Sequence, residues 1–594
     1  MFSPKTSRML LAWLPTLAVT LAACSDDTSQ DHADDETGDG DGDPTTTGDG
    51  DGDPTTTGDG DGDPTTTGDG DGDPTTAGDG DGDGDGDGDG NGDLALSGLT
   101  PIGVYDYDVF DEGAAEITAY DPASERLFVV NGATGTVDVL DLADPTQPTL
   151  IDSFDVSDYG AGANSVAVHD GLVAAAVEAD VAQDPGTLVL FQAADLSVVN
   201  HLEIGALPDM VGFSPDGSKV VVACEGEPEG YEIGMIDPEG SVAIVDLTGD
   251  LMALTDADVQ LADFDGFTLA DLDPQIRVFG PGASVSQDFE PEYVAISADS
   301  KTAWVTLQEN NAVAIVDLDT ATVTEVVALG LKNHSLAGNG LDPSDKDDAV
   351  AIAPWPVFGM YMPDSIVRFE VAGQTYLLTA KEGDARDYDG FAEEERVADL
   401  TLDPVAFPDA AALQADAALG RLTVTTADGD VDNDGDFDQL HVFGARSVSI
   451  WAPDGDLVWD SGDLLEQAVA AALPERFNAS NDNNSFDNRS DNKGPEPEGA
   501  AVASLWGTPY AFIGLERVGG IVVFDLSDPQ APSVVLYENS TRDFEADPEL
   551  DDAGDLGPEG VLVVPGEDSP NGEPLLIVAN EISGTVRIYQ ITAE

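Results

Sequence analysis

Acidic side chains recur at equivalent places in a repeated sequence unit. One set comes just before short runs that alternate apolar and polar residues, and it contains Glu116, Glu290, Glu292, Glu496, Glu498 and Glu559. A second set follows the next such run, and it contains Glu225, Glu227, Glu309, Glu382, Glu516 and Glu581. If the units converge, so many neighbouring carboxylates cannot all stay ionised without cations, which predicts a hard cation such as calcium. The predicted ligands are Glu116, Glu292, Glu382, Glu498, Glu516, Glu559 and Glu581. The alternative is a solvated acidic rim in an acidic protein.

A local calcium motif stands apart from these sets. Residues 430–438 read DVDNDGDFD, with the aspartates Asp430, Asp432, Asp434, Asp436 and Asp438. Oxygen ligands at loop positions 1, 3 and 5, followed by glycine at the sharp turn, are typical of EF-type calcium loops. The twelfth position is His441 instead of glutamate, so the segment resembles such a loop without being an EF-hand. We predict structural calcium here, and the alternative is a flexible acidic turn.

Basic residues are scarce, and several of them lie inside the glutamate motifs. The chain has 20 Lys and Arg against 119 Asp and Glu. Arg386, Arg489, Lys493 and Arg517 lie close in sequence to the repeated glutamates. Arginine beside carboxylates and a metal is suited to bind phosphate or another oxyanion, so these four are the candidate catalytic residues. The alternative is that each of the four pairs with a carboxylate across the central channel of the β-propeller that the strand pattern, described next, predicts. No Ser/His/Asp arrangement and no residues for an organic cofactor can be argued.

The elements that must position these residues are short β-strands. Seven runs alternate in polarity and often end in Asp-Leu, which is typical of β-strands. These runs are residues 135–142, 187–191, 241–247, 311–318, 447–451, 520–526 and 584–589. Two further strand-like runs precede most of them, as in 210–213 and 219–224 around an Asp-Gly turn. Repetition of such β-meanders predicts an all-β fold, a seven-bladed β-propeller with irregular insertions chiefly within 331–364 and 384–443. Amphipathic helices are predicted only at 409–419 and 463–473.

Long irregular motifs within the predicted propeller carry a family resemblance. They are residues 339–347, 355–364, 382–386, 486–499, 514–520, 556–560 and 580–585. Together they resemble the choice-of-anchor I domain, whose members are similar to proteins named mesenchyme-specific cell surface glycoprotein, while a few carry an alkaline phosphatase label. The resemblance runs from about residue 99 to residue 594. It implies a seven-bladed propeller displayed at a surface by one of several kinds of anchor, and it implies no settled biochemical activity.

The first residues have the pattern of a secretion signal. Lys5 and Arg8 precede an apolar run, 9–23, that ends directly before Cys24. The sequence Leu-Ala-Ala-Cys resembles the lipobox of bacterial lipoproteins, which implies cleavage before Cys24 and lipidation of that residue. The alternative is an ordinary secretory signal with a chance cysteine. Cys224, the other cysteine, lies in an apolar run and is predicted to be a buried core residue.

A repeated Gly-Asp tract separates this signal from the predicted propeller. From residue 38 the unit GDGDGDPTTT recurs, and it decays into alternating Gly and Asp up to residue 93. Almost nothing apolar is available to bury, so residues 24–98 are predicted to be a disordered linker that acts as a stalk. Loose calcium binding by this polyanion is the alternative role. The predicted organisation is therefore a signal peptide at 1–23, the lipidated cysteine and linker at 24–98, and the propeller at 99–594.

The charge balance limits the partners. A formal net charge of −99 repels phosphate backbones and anionic lipid. Nucleic-acid binding and electrostatic membrane docking are therefore excluded, which leaves a lipid anchor as the predicted membrane contact. We predict a monomeric, extracytoplasmic bacterial lipoprotein, at the outer membrane or cell surface, that acts as a calcium-binding interaction module. The alternative is a metal-dependent phosphatase or phosphodiesterase with its site in the central channel. The sequence does not specify the surface ligand or oxyanion substrate.

The two ends of the domain are predicted to meet. The last strand-like runs, 574–579 and 585–589, supply only part of a blade, whereas 99–105 is strand-like but precedes the first full meander. An open ring would expose a strand edge. We therefore predict that residues 99–105 pair as the outer strand of the C-terminal blade.

Overall fold

The computed structural model describes residues 94–548, 550 and 553–594. The predicted signal peptide, Cys24 and the predicted linker up to residue 93 lie outside these residues. The first described strand begins at Leu96, slightly before the predicted start of the propeller. Within the described part of the chain, no helix combines the length and the apolar character needed to cross a membrane.

Seven four-stranded antiparallel sheets form the body of the domain, and we number them blades 1 to 7 in chain order. Blade 1 contains Thr118–Asp121, Arg126–Asn131, Thr136–Asp141 and Thr149–Asp155; blade 2 contains Gly162–His169, Leu172–Glu178, Pro185–Gln192 and Val198–Ala206; blade 3 contains Pro208–Phe213, Lys219–Cys224, Ser241–Asp246 and Val259–Asp263. Blade 4 contains Pro291–Ile296, Thr302–Leu307, Ala312–Asp317 and Thr322–Ala328; blade 5 contains Ile366–Val371, Gln374–Ala380, Val448–Trp451 and Leu457–Asp460. Blade 6 contains Pro497–Leu505, Thr508–Leu515, Ile521–Asp525 and Ser533–Glu538; blade 7 contains Pro558–Val564, Leu575–Asn580, Thr585–Ala593 and Leu96–Asp106.

The first strand named for each blade is the innermost one. It packs against the first strands of both neighbouring blades, and blade 7 packs in this way against blade 1, so the ring is closed. The seven alternating runs identified in the sequence are the third strands of the seven blades. The prediction of a seven-bladed β-propeller is confirmed.

The apolar core lies between adjacent blades. Between blades 1 and 2, for example, Phe128, Phe154 and Phe191 pack in one cluster, and the rings of Phe154 and Phe191 stack with centroids 4.2 Å apart. Aromatic side chains bury large areas, so this stack contributes strongly to the contact between these two sheets. Cys224 is fully buried in the next such layer, as predicted.

The ends of the described chain meet in blade 7, as predicted. The strand Leu96–Asp106 pairs antiparallel with Thr585–Ala593, with Leu99 opposite Ile591 and Tyr105 opposite Val586. Leu96 and Leu99 are buried in an apolar cluster with residues of blades 6 and 7. Asp106 lies opposite Thr585 and Leu96 lies opposite Ala593, so the strand runs toward the face where the innermost strands begin.

Two insertions interrupt the blades, in the predicted regions. The first insertion connects blades 4 and 5, and the second lies inside blade 5. Together they form one three-stranded sheet, from Leu331–Asn333, Phe358–Met360 and His441–Val442. They also form two two-stranded sheets, one from Asp387–Tyr388 and Phe391–Ala392 and the other from Glu394–Arg396 and Thr423–Thr425. They share an apolar core of their own, in which Leu419, Leu422 and Val424 are fully buried.

The described helices are short. They are α1 (Val285–Asp288), α2 (Ala410–Leu413) and α3 (Leu464–Ala472), with 3-10 turns at Leu251–Ala253, Asp256–Asp258 and Val397–Asp399. The helix expected at 463–473 is confirmed, whereas the one expected at 409–419 ends at Leu413. Beyond it the chain folds back, and the Leu419 N–H donates to the carbonyl of Leu413. This turn buries Leu419 in the insertion core.

Candidate functional site

A β-bulge lies at the start of the innermost strand in several blades. In blades 3, 4, 6 and 7 the strand starts with a proline and an acidic residue, at Pro208-Asp209, Pro291-Glu292, Pro497-Glu498 and Pro558-Glu559. The register with the second strand shifts directly after each proline. Proline has no N–H for the ladder, and a bulge re-aims the side chain beside it. The pattern therefore sets one carboxylate at the same end of each of these strands.

Equivalent positions in the other blades complete a ring of polar side chains. Blade 1 contributes Glu116, blade 5 contributes Asp364, and blade 2 contributes Asn164 within its own register shift. We call the full set the inner ring: Glu116, Asn164, Asp209, Glu292, Asp364, Glu498 and Glu559. Six of these seven positions are acidic, so a dense ring of carboxyl groups lines the mouth of the channel.

The inner-ring carboxylates interact across the channel. Burial raises the pKa of Glu559 well above its ordinary value, and the carboxylates of Glu581, Glu116, Asp364 and Asp209 raise it further. Because Asp364 and Asp209 belong to blades 5 and 3, these interactions span the ring. Acids from distant blades therefore share one electrostatic environment.

A second tier of carboxylates lies at or just beyond the ends of the second strands. It contains Glu178, Glu225, Glu309, Glu382, Glu516 and Glu581. Burial and the charge of Glu227 raise the pKa of Glu178 to about 7. Burial likewise raises the pKa of Glu516 to about 7, although Arg517 opposes the shift. These acids hold protons near neutral pH unless a cation takes the place of the proton.

Several of these acids have an oxygen without a hydrogen-bond donor. The Oε2 atoms of Glu292, Glu498, Glu516 and Glu559 are buried and accept no hydrogen bond from any described residue. Glu292 is 8% exposed and Glu498 is 6% exposed. A buried carboxylate oxygen without a partner is costly, and coordination to a cation removes that cost.

Two glycines allow the ring to close tightly. Gly499 and Gly560 each follow the inner-ring glutamate of their blade. A Cβ atom at Gly499 would lie 1.9 Å from the carbonyl oxygen of Glu559, and one at Gly560 would lie 2.2 Å from that of Glu116. Only glycine permits this approach of one innermost strand to the next. The Pro-Glu-Gly sequence therefore sets both the aim of the carboxylate and the spacing of the blades.

Three cations surround Glu496 at the mouth. Arg489 Nε lies 2.9 Å from Glu496 Oε1, Arg517 Nε lies 3.1 Å from Oε2, and Lys493 Nζ lies 3.4 Å from Oε2. Burial alone would raise the pKa of Glu496, but the three cations lower it to about 2. Glu382, Glu496 and Glu516 also bring carboxylate oxygens within 4.8 Å of one another. These contacts are the carboxylate pairing that the sequence left open as the alternative to an oxyanion site.

Arg386 is buried between the second tier and α1. Its NH1 and NH2 atoms lie 3.2 Å from Asp288 Oδ1 and 3.0 Å from Glu290 Oε2, and its guanidinium stacks on the ring of Phe279. The side chain is 1% exposed. All four candidate catalytic residues therefore lie at the mouth, each with an ion pair to a carboxylate.

Aromatic residues cover part of the mouth. The hydroxyl of Tyr388 donates to Glu227 Oε1 at 2.8 Å. Tyr231 packs edge-on against Tyr388 and against Phe391. The loop of blade 3 and the blade 5 insertion thus meet above the second tier, which limits the water that reaches it.

The acidic loop 430–438 brings some of its aspartates close together. Asp430, Asp432 and Asp438 bring carboxylate oxygens within 4.8 Å of one another, and Asp436 and Asp438 do the same with Asp403. Asp434 belongs to neither group, although its charge is the largest cause of the raised pKa of Asp432. The loop also hydrogen-bonds internally, with the Gly435 N–H donating to Asp430 Oδ2 at 3.0 Å.

Sequence reasoning identified much of the mouth but missed several members. It did not single out Asp209, Asp364 or Glu178. Each of the first two follows a proline at or just before the start of an innermost strand, as Glu292, Glu498 and Glu559 do, so that shared Pro-acid pair was the available signal. Asp288 and Asp403 could not have been assigned, because they meet their partners only through loops that the strand pattern does not describe.

One domain family and two named proteins match this chain. The pattern that defines the choice-of-anchor I domain matches residues 116–529. Gigasin-3a of Magallana gigas is 32% identical over 190 residues, which cover 30% of this chain and 66% of that protein. The mesenchyme-specific cell surface glycoprotein of Strongylocentrotus purpuratus is 27% identical over 298 residues, which cover 44% of this chain and 38% of that protein. The chain thus spans less than two thirds of either relative.

Solved structures resemble the chain only distantly. Hydrazine synthase of Kuenenia stuttgartiensis superposes with a TM-score of 0.42 and 15% identity, covering 82% of this chain and 98% of that one. The Cps50 (Swd1) β-propeller domain of Myceliophteria thermophila gives a TM-score of 0.41 and 9% identity, covering 83% of this chain and 100% of that one. The match over residues 116–529 takes in most of the propeller, and on that ground the chain belongs to the choice-of-anchor I domain family.

Proposed function

We propose that this protein is a surface-displayed β-propeller binding module whose acidic mouth holds calcium. The observation that carries the proposal is the inner ring, in which buried and half-buried carboxylates from six blades converge on one channel. The name of the sea urchin relative, a cell surface glycoprotein, supports display at a surface.

Calcium suits the chemistry of the mouth. It takes six to eight oxygen ligands in flexible geometry, including carboxylates. The unpartnered oxygens of Glu292, Glu498 and Glu559 are ligands of this type. A bound cation would also offset the repulsion among these acids, and it would offer a ligand an attachment point that a proton cannot.

The channel proposal is tested by calorimetric titration of the chelator-treated, full-length protein with CaCl₂. Combining Glu292→Gln and Glu498→Gln should abolish the tightest binding, because each change removes a buried charged oxygen. Glu325→Gln is the matched control, since Glu325 is an exposed residue on the outer strand of blade 4. Equal titration curves for the double variant and the wild type would refute the channel site.

We propose a lipid anchor at Cys24 as the means of display. The support is the lipobox-like sequence that ends at this residue. Cys24→Ser should move the protein from the membrane fraction to the soluble one after cell lysis and ultracentrifugation. A variant that stays with the membranes would rule the anchor out.

A metal-dependent phosphoric ester hydrolase is the competing function. It requires cations that can receive an oxyanion, and Arg489, Lys493 and Arg517 all pair with Glu496. Those pairs favour a binding module. Assays of phosphomonoesters and phosphodiesters with added calcium separate the two functions. A calcium-dependent activity lost in both Arg489→Ala and Glu498→Ala would establish the hydrolase.

A further inference from the structure

A separate group of three aspartates lies away from the inner ring. Asp342 and Asp347 lie on the loop that the Leu341–Ala353 backbone bridge closes within the first insertion. Asp487 comes from the segment between α3 and blade 6. One carboxylate oxygen of each lies within 4.8 Å of the other two. The chain therefore brings together acids that lie up to 145 positions apart in sequence, as the Asp342–Asp487 pair does.

One oxygen in this group is buried without a partner. Asp487 is 1% exposed, and its Oδ1 accepts a hydrogen bond from the Ser490 hydroxyl. Its Oδ2 accepts none from the described residues. Asp342 is also fully buried, and backbone N–H groups of Ser344 and Ala351 donate to its carboxylate. Both side chains are thus fixed in position beside a third acid.

The charge around Asp487 is also one-sided. Burial raises the pKa of Asp487 to about 8, and the carboxylates of Asp342, Asp347 and Glu466 add to the shift. The nearby cation Arg446 is already engaged by Glu466 and by the carbonyl of Asp342. Buried acids in such surroundings must either bind protons or coordinate a cation.

We propose that Asp342, Asp347 and Asp487 form a calcium site that fastens the first insertion to the segment 477–496. The ligands are carboxylate oxygens, which calcium prefers, and the unpartnered Oδ2 of Asp487 completes the set. This site is distinct from the channel mouth and does not depend on the function proposed above.

The position of this site gives it a consequence for the mouth. Asp487 lies two residues before Arg489, whose guanidinium contacts Glu496. The same segment carries Lys493, which contacts Glu382. Calcium at the three aspartates therefore holds the loop that delivers Lys493 to Glu382 of the second tier and Arg489 to Glu496.

Calcium content and loop protection test the proposal on the full-length protein. After equilibration with CaCl₂ at controlled free concentration, elemental analysis should count one calcium fewer per chain in Asp347→Asn than in the wild type. The affinity of that site should fall by at least the roughly 10–100-fold that loss of an outer-shell metal partner costs. Calcium should also slow hydrogen exchange in peptides from 477–496 in the wild type but not in the variant.

Matched variants keep this test separate from the channel. Asp348→Asn makes the same change at the neighbouring exposed residue and should leave calcium content unchanged. Asp487→Asn should lose the same amount of calcium as Asp347→Asn. If Asp487→Asn fails to fold, the measurements on Asp347→Asn are decisive, because Asp347 is only half-buried. The channel variant with Glu292→Gln and Glu498→Gln should retain calcium-dependent protection of 477–496. The proposal would be overturned if Asp347→Asn kept the calcium content of the wild type. It would also be overturned if calcium failed to slow hydrogen exchange of 477–496 in the wild type, since the aspartates would then hold protons instead of calcium.

Discussion

Asp209, Glu178 and Glu516 differ from the acids on the outer surface. Burial first, and neighbouring carboxylates second, raise the pKa of Asp209 and of Glu178 to about 7, and burial raises that of Glu516 to the same value. At the outer turns the opposite holds, since hydrogen bonds from Thr248 lower the pKa of Asp246. Asp209, Glu178 and Glu516 therefore titrate near neutral pH, whereas Asp246 stays ionised there.

This difference predicts how stability depends on pH. The folded-state pKa values exceed the ordinary values of 3.8 and 4.5, so the folded state binds more protons than the unfolded chain from about pH 4 upward. The stabilisation present at low pH is then lost as the pH rises through about 7. In EDTA, the melting temperature should fall between pH 5 and pH 8, and calcium should raise it more at pH 8. A chelated protein that melts equally at both pH values would contradict this.

Arg386 predicts a second effect at the residue scale. Arg386→Met leaves Asp288 and Glu290 buried without their cation. Removing one partner of a buried ion pair typically costs about 3–5 kcal/mol. Arg368→Met is the control, because Arg368 pairs with Glu370 on a partly exposed strand, where a pair contributes about 0–1 kcal/mol. Urea unfolding should separate the two variants, and equal losses would show that Arg386 is not needed to neutralise these acids.

Between elements, the spacing of the innermost strands depends on two glycines. Gly499→Ala would place a methyl group against the backbone of Glu559, which cannot move without displacing blade 7. Forced overpacking of this kind costs roughly 1–3 kcal/mol. Gly249→Ala is the control, since a Cβ there meets nothing within 4 Å. A lower urea midpoint only for Gly499→Ala is the expected result, and a wild-type midpoint would show that the blades can separate at no cost.

The strands were predictable because their pattern is local. The third strands are short runs rich in apolar residues, most of them entered through glycine or asparagine, so each of the seven could be recognised by itself. The aspartates Asp342 and Asp487 could not be joined in the same way, because their contact depends on how an insertion folds onto the segment between α3 and blade 6. The pairing of Arg386 with Asp288 is of this kind too. Sequence periodicity thus determines blades, while ion pairs between loops follow from the assembled ring.

At the scale of the whole molecule, ring closure depends on the first described strand. A chain that lacks residues 25–93 should melt like the full-length protein, since every strand of the blades remains. Extending the deletion through Tyr105 removes most of the outer strand of blade 7, together with the buried Leu96 and Leu99. Calorimetry should then show a lower and broader transition. Identical melting of the two truncated chains would mean that the closure contributes no stability.

The direction of that strand also determines how the domain bears force. Leu96–Asp106 begins at the face opposite the acidic mouth and runs toward the mouth. A pull on the chain before Leu96, opposed by a ligand held at the mouth, therefore acts along the strand. Ladder hydrogen bonds lie perpendicular to the strands, so such tension loads all the pairs from Leu96–Ala593 to Asp106–Thr585 in shear instead of opening them one after another. The propeller is thus fastened in the geometry that best resists being pulled between its two faces.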